Sequence, residues 1–187
     1  MRFFIALEIV ESCLKSLTLV QKDLQEIIPN IKLTNNNKLH LTIAFIGEAE
    51  DSKISEFTTI IQNAVSGIPP FSIIPAYIDA FPELHHPHTF WVGVKGDIDK
   101  LFVLRERIKD GLTRLGFDTD ERRYIPHIAV GKVSTPYILS AHQEELLQKM
   151  SINEDFESIN IKSIKLFESI PEEGFHTHNT LAEIPLL

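Results

Sequence analysis

Residues 40–47 read His40-Leu41-Thr42-Ile43-Ala44-Phe45-Ile46-Gly47, and residues 127–132 read His127-Ile128-Ala129-Val130-Gly131-Lys132. Each is a short apolar run of strand character opened by a histidine. Each follows an aromatic strand, Phe3-Phe4-Ile5-Ala6-Leu7 for the first and Phe90-Trp91-Val92-Gly93-Val94 for the second, with a helical pattern between. The spacing agrees at both ends: Phe3 and Phe90 lie 87 positions apart, and so do His40 and His127. A strand–helix–strand unit that recurs at a fixed offset points to an internal duplication. If the two units pack about a pseudo-twofold axis, His40 and His127 face each other across a central cleft.

Outward from these segments the chain alternates strands and helices. Strands are expected at 2–9, 39–46, 71–80, 88–95 and 126–133, with two late ones near 159–168 and 180–187. Amphipathic helices are expected at 11–28 and 97–115. Another should run from an Asp51-Ser52 cap to about Ser66, and a fourth from Ser134-Thr135-Pro136 to about Met150. Asn35-Asn36-Asn37 reads as a turn, and Gly67 and Gly116 as helix ends. Neighbouring strands can pair antiparallel, so the fold class expected is α+β. The whole chain, 1–187, is expected to be one domain of two intertwined, pseudo-twofold-related lobes, with antiparallel sheet inside and helices outside.

The bulk numbers narrow the function. The 187 residues are 43% hydrophobic and 24% charged, which suits a folded core rather than a disordered chain. The net charge is −8. A protein that grips long duplex nucleic acid usually presents a basic face, so a nucleotide or an RNA end is the better ligand. The single cysteine, Cys13, excludes an internal disulfide and reads as a buried helix thiol. The N-terminal apolar run is too short for a signal peptide, and no run is long enough for a membrane span. Cytoplasmic residence is therefore expected. No Gly-rich phosphate loop is present.

In a strand, residues i and i+2 share a face. His40 and Thr42 should point into the cleft, as should His127 and Ala129, while Leu41, Ile43 and Phe45 point into the core. Two imidazoles that titrate near pH 6.5 can hold one proton between them. One then accepts a proton from an attacking nucleophile while the other donates to the leaving oxygen, from opposite sides of a phosphorus. A hydroxyl such as that of Thr42 can bind a non-bridging phosphate oxygen. The plainer alternative, two strand histidines with satisfied hydrogen bonds, weakens because the pair sits on a repeat.

The two motifs resemble those of the two-histidine (2H) phosphoesterase superfamily, whose signature is a pair of His-x-Thr/Ser-x segments with x usually apolar. Within it, the chain is most similar to the bacterial and archaeal RNA 2′,3′-cyclic phosphodiesterases, also called 2′-5′ RNA ligases. The similarity runs from Arg2-Phe3-Phe4 through the first motif, Phe81-Pro82, Phe90-Trp91, Leu115-Gly116-Phe117, Arg123 and Pro126-His127-Ile128 to Phe167-Glu168-Ser169 and Gly174. The resemblance implies a bilobal fold and metal-independent opening of a 2′,3′-cyclic phosphate, on an RNA end or a nucleotide, to a 2′-phosphate. His40 would be the general acid and His127 the general base, with the reverse assignment open. ATP-independent 2′-5′ ligation is the same chemistry run backwards. No cofactor or metal is expected, and the chain is expected to work as a monomer.

Two residues depart from the family pattern. Ala129 stands where the second motif carries a hydroxyl, which removes a phosphate contact of about 1 kcal/mol. Lys132 stands where arginine is usual, keeping the charge for a phosphate but losing the planar fork. Phe45 and Lys132 hold equivalent places and could flank a nucleobase, although strand alternation also allows Phe45 to be core. Arg123 and Tyr124, with Arg122, precede the second motif and either contact substrate or belong to a solvated loop. His85, His86, His88, His176 and His178 lack metal-ligand spacing and read as surface residues. The acidic stretches Glu48–Asp51 and Glu154–Glu157 read as solvated turns. Two other functions stay open. One is action on a different phosphodiester, such as a 2′-5′ oligonucleotide or an ADP-ribose cyclic phosphate. The other is RNA-end binding without turnover, which Ala129 favours.

Overall fold

The computed structural model describes residues 1–119, 122–153, 156–173 and 175–187. Asp120-Glu121 in the loop before the second histidine, Glu154-Asp155 of the acidic stretch and Gly174 lie outside the described residues. The elements in chain order are β1 (Arg2–Glu8), α1 (Glu11–Ile27), β2 (Lys32–Leu33), β3 (His40–Glu48), α2 (Ile54–Val65), β4 (Phe71–Pro82), β5 (Pro87–Gly96), α3 (Ile98–Arg114), β6 (His127–Lys132), α4 (Ala141–Asn153), β7 (Ile159–Ile161), β8 (Ser163–Glu172) and β9 (Phe175–Pro185). The strands form one antiparallel sheet in the order β7-β4-β5-β6-β3-β1-β8-β9, with β2 pairing to β6 outside that path. The fold is α+β, as the alternation of apolar periodicities implies.

The repeat is visible in the pairing. β3 and β6, the two motif strands, meet antiparallel at Leu41 and Ile128, which are 87 positions apart. A pseudo-twofold axis therefore passes beside that bridge. On one side follow β1 and β8, and on the other β5 and β4. The helices cross over: α1 packs against β6, the motif strand of the other half, and α3 packs against β3. Leu17, Val20 and Leu24 of α1 and Leu101, Leu104, Ile108 and Leu112 of α3 are buried beneath the sheet with Leu41 and Ile128.

Both motif strands carry a bulge at the same place. β1 pairs Ile5 with Ala44 and then Ala6 with Thr42, leaving Ile43 as the extra residue. β5 pairs Phe90 with Gly131 and then Trp91 with Ala129, leaving Val130 as the extra residue, again 87 positions on. An extra residue disturbs the ladder and leaves backbone groups in need of partners. Here buried helix side chains donate to the carbonyls of both extra residues, and the Val130 carbonyl also accepts from Thr34 N at 2.9 Å. An Arg105 NH1 group donates to the Ile43 carbonyl at 3.2 Å, and Gln21 Nε2 donates to the Val130 carbonyl at 2.9 Å. These are the two buried polar side chains among the described residues, and each comes from the helix of the opposite unit.

Four expectations need correction. The bulge reverses the alternation after Thr42, so Phe45 does not enter the core; it is 66% exposed, on the cleft side. The fourth helix does not open at Ser134-Thr135-Pro136 but at Ala141. Its start is a capping box: Gln143 N donates to Ser140 Oγ at 3.1 Å, and Ser140 N to Gln143 Oε1 at 3.0 Å. Asp51-Ser52 caps nothing through a side chain; Asp51–Lys53 form a 3₁₀ turn leading into α2. Finally, the late part of the chain holds three strands rather than two. β8 parts from β1 after Ser169, so Pro171 pairs only with β9 and disturbs one side of the ladder.

Candidate active site

His40 and His127 open β3 and β6 and flank the Leu41–Ile128 bridge on the face away from the helices. Both are half-buried. Their anchoring is the same. His40 Nδ1 lies 2.7 Å from the Lys38 carbonyl, and His127 Nδ1 lies 2.7 Å from the Ile125 carbonyl. A carbonyl only accepts, so each Nδ1 carries a proton and Nε2 is the nitrogen left for a ligand.

The ring packing repeats too. Phe4 lies 5.1 Å from His40 and its counterpart Trp91 lies 5.6 Å from His127, centroid to centroid. A second ring meets each imidazole edge-on at 5.0 Å. Beside His127 it is Phe81, and beside His40 it is His178. Phe167 completes the first group, 5.1 Å from Phe4, and Tyr77 the second, 5.7 Å from Trp91. Gly93 is required by this packing: a Cβ there would fall 2.1 Å from the Tyr77 ring.

Burial inside these aromatic walls pushes both imidazoles below their ordinary value near 6.5. The carbonyl at each Nδ1 opposes the shift, and the charge of His127 adds to it at His40. His178 is pulled further, to about 4, by burial first and then by His40, Lys38 and His176. The sign of the stability effect follows. All three rings are harder to protonate folded than unfolded, so unfolding takes up protons below about pH 6.5. Their contribution is intact above that pH and is lost as acid approaches the folded values. The urea midpoint is expected to fall between about pH 7.5 and 5.5, and to fall less in His178→Phe. An equal fall in both proteins would refute the linkage to His178.

A cavity of about 680 Å³ opens beside His127. Thr42, Phe45, Arg123 and Tyr124 line it with His127, as do Phe81, His88, Arg105 and Arg122. Four of the five residues expected beside the histidines therefore share its wall. Lys132 and His40 are not among its lining residues; Lys132 is exposed at the end of β6, paired with Thr89 and Lys32. Tyr124 has a structural task as well, since its hydroxyl donates to the Thr42 carbonyl at 2.8 Å. Its ring lies 5.5 Å from the Arg105 guanidinium, and burial pushes the phenol well above its usual range.

The other histidines fall out differently. His85 and His86 pair with Glu144 and Glu83, at 2.5 and 2.9 Å. No three His, Cys, Asp or Glu side chains converge as a metal-binding group among the described residues. No helix is long and apolar enough to cross a membrane. Cys13 is buried, its thiol 3.3 Å from the Ser158 carbonyl. The residues that sequence reasoning missed are His178, Arg105 and Gln21. The last two had a signal, since both interrupt the apolar stripes of their helices.

Known proteins resemble this chain in sequence and in fold. A sequence model described as the 2′-5′ RNA ligase superfamily matches residues 20–169. An RNA 2′,3′-cyclic phosphodiesterase of Methanocaldococcus jannaschii is 30% identical over 169 residues, covering 90% of this chain and 91% of that protein. The crystal structure of a Thermus thermophilus protein superposes with a TM-score of 0.81 at 16% identity, covering 100% of this chain and 98% of that one. E. coli LigT complexed with 3′-AMP superposes at 0.75 with 18% identity, covering 99% and 97%.

Proposed function

Because this chain belongs to the 2′-5′ RNA ligase superfamily, we propose that it opens 2′,3′-cyclic phosphates on RNA ends or nucleotides to 2′-phosphates, without a metal. The observation that carries this reading is the equivalent anchoring of His40 and His127, each with Nδ1 tied to the carbonyl two residues before it. That leaves two Nε2 atoms, one from each half of a twofold, as the donor and acceptor an in-line displacement needs.

In the reaction, His127 takes a proton from water as its oxygen attacks phosphorus. The bond from phosphorus to the 3′-oxygen breaks, and His40 delivers a proton to that oxygen. The 2′-ester bond survives, and the product is a 2′-phosphate with a free 3′-hydroxyl. The Thr42 hydroxyl and the Lys132 ammonium bind the non-bridging oxygens. Phe45, exposed at the rim of the cavity, offers a face for a nucleobase, and Arg123 and Tyr124 complete that wall. Ala129 forgoes the contact its counterpart Thr42 makes.

A second reading exchanges the two roles. His40 is enclosed beside His178, and burial with the charge of His127 disfavours its protonated form, as a general base requires. His127 would then be the acid.

The test is incubation of the protein with nucleoside 2′,3′-cyclic phosphates in EDTA, followed by identification of the product isomer. Release of the 2′-phosphate at an undiminished rate is the expected result. Turnover only of another ester, such as a 2′-5′ linkage or an ADP-ribose cyclic phosphate, would move the substrate. Binding without turnover would make the chain an RNA-end-binding protein, and loss of activity in EDTA would end the metal-free mechanism.

A further inference from the structure

Each motif imidazole stands in a triangle of rings, and the two triangles match. His127 meets Phe81 at 5.0 Å and 85°, and His40 meets His178 at 5.0 Å and 83°. Phe81 in turn lies 4.8 Å from Trp91, and His178 lies 4.8 Å from Phe4. The contacts of Trp91 with His127 and of Phe4 with His40 close the figures. The edge-on corner is reached by different routes. Phe81 stands on β4, the strand next to β5, whereas His178 stands on β9, the second strand out from β1. The residue 87 positions after Phe81 is Glu168 on β8, so the repeat does not supply His178 as a copy of Phe81. Two separate routes to one ring geometry mark a place where a ring is needed.

We propose that His178 is a positioning residue of the reaction, the ring that holds His40 in its working orientation as Phe81 holds His127. The inference rests on the function proposed above, and it applies whether His40 is the acid or the base. A bond from Nδ1 to a single carbonyl lets an imidazole swing about that contact. A ring packed edge-on against it stops the swing and keeps Nε2 aimed one way, which is what a group that must meet a reacting oxygen requires. His178 does this as an aromatic wall. Its own value near 4 leaves it uncharged around neutrality, so it neither carries a proton to give nor sets a second charge against His40.

A wall that is removed also lets water in. Burial is the first cause that keeps His40 below its ordinary value, so loss of the His178 ring should let His40 rise towards about 6.5. His127 keeps Phe81 and Trp91 and should stay where it is. The other titratable groups around His40 are unchanged by the substitution. They are His127 on β6, Lys38 two residues before it, and Glu8 opposite it on β1, whose carboxylate is paired with Lys165 of β8. His176 acts on His178 from the same strand and is held by Ser169 of β8.

Three variants of the full chain test this. His178→Ala removes the ring, His178→Phe keeps a ring without nitrogens, and His178→Gln keeps a polar end without a ring. With adenosine 2′,3′-cyclic phosphate, kcat is expected to fall about tenfold to a hundredfold in the alanine and glutamine variants, the cost of a misaimed group. KM should change little, and phenylalanine should restore most of the loss. An alanine variant within about twofold of the parent, or a phenylalanine variant no faster than the alanine one, overturns the proposal. The second readout, titration of the histidine rings by NMR, needs no turnover. His40 alone should move towards its ordinary value in the alanine and glutamine variants, and neither motif histidine should move in the phenylalanine variant. Equal movement of His40 and His127, or no movement of His40 in the alanine and glutamine variants, also overturns it. Should the parent open no cyclic phosphate while His40 alone moves, the proposed function fails and the hold of His178 on His40 stands.

Discussion

Replacing either histidine with alanine is expected to lower kcat by roughly 10²–10⁴-fold, the range for loss of one positioned acid or base. KM should change little, because the phosphate contacts assigned to Thr42 and Lys132 remain. The double variant should lose much less than the product of the two single losses, since both rings act in one transition state. The pH profile gives a second readout. In the parent protein kcat/KM should be bell-shaped, with limbs that belong to the pair rather than to either ring. Each single variant should lose one limb. Burial lowers both imidazoles, so the acidic limb is expected below the ordinary value near 6.5. A p-nitrophenyl phosphodiester, whose leaving group needs no proton, separates the roles: it should rescue the variant lacking the acid and not the one lacking the base. Rates within tenfold of the parent in both single variants would remove the histidines from the chemistry.

The second large effect is on stability. Leu41→Ala is expected to cost about 2–5 kcal/mol, the range for truncating a fully enclosed leucine. Leu41 is 0% exposed and pairs with Ile128, also 0% exposed, at the bridge joining the two motif strands. The resulting void lies beneath the two histidines, between the halves, where neither helix layer can close it alone. The thermal midpoint should drop by roughly 5–15 °C for a chain of this size. A drop under about 2 °C would show that the bridge is not a keystone of the packing. The comparison variant is Leu19→Ala, a leucine 53% exposed on α1, where the change should be small.

The sequence revealed the frame of this fold and hid its local departures. The offset of 87 was legible because it depends only on residue identity, and it led to the histidines and to the two aromatic strands that pair beside the motif strands as β1 and β5. The orientation of Phe45 was not, because a two-residue period assumes an unbroken ladder and the bulges at Ile43 and Val130 break it. Arg105 and Gln21 belong to those bulges, since each donates to the carbonyl of the extra residue, which at Val130 also accepts from Thr34 N. His178 was hidden for another reason. His176-Thr177-His178-Asn179-Thr180 carries no apolar alternation, and only pairing with β8 makes it a strand. The start of α4 was legible in the Ser140-x-x-Gln143 spacing, but Thr135-Pro136 offered a more familiar helix opening.

A frame with twofold symmetry has no direction, whereas a nucleic acid strand does. Were the two halves alike in side chains as well as in backbone, a strand and its reversal would dock equally well, and one of the two dockings would present the wrong ester oxygen. The equivalent pairs Thr42 and Ala129, Phe45 and Lys132, and the edge-on rings His178 and Phe81 are where this chain stops being a palindrome. With the substrate proposed above, polarity would be written into the site by those mismatches, and making the halves more alike would blur the choice between 5′ and 3′ before it weakened the fold.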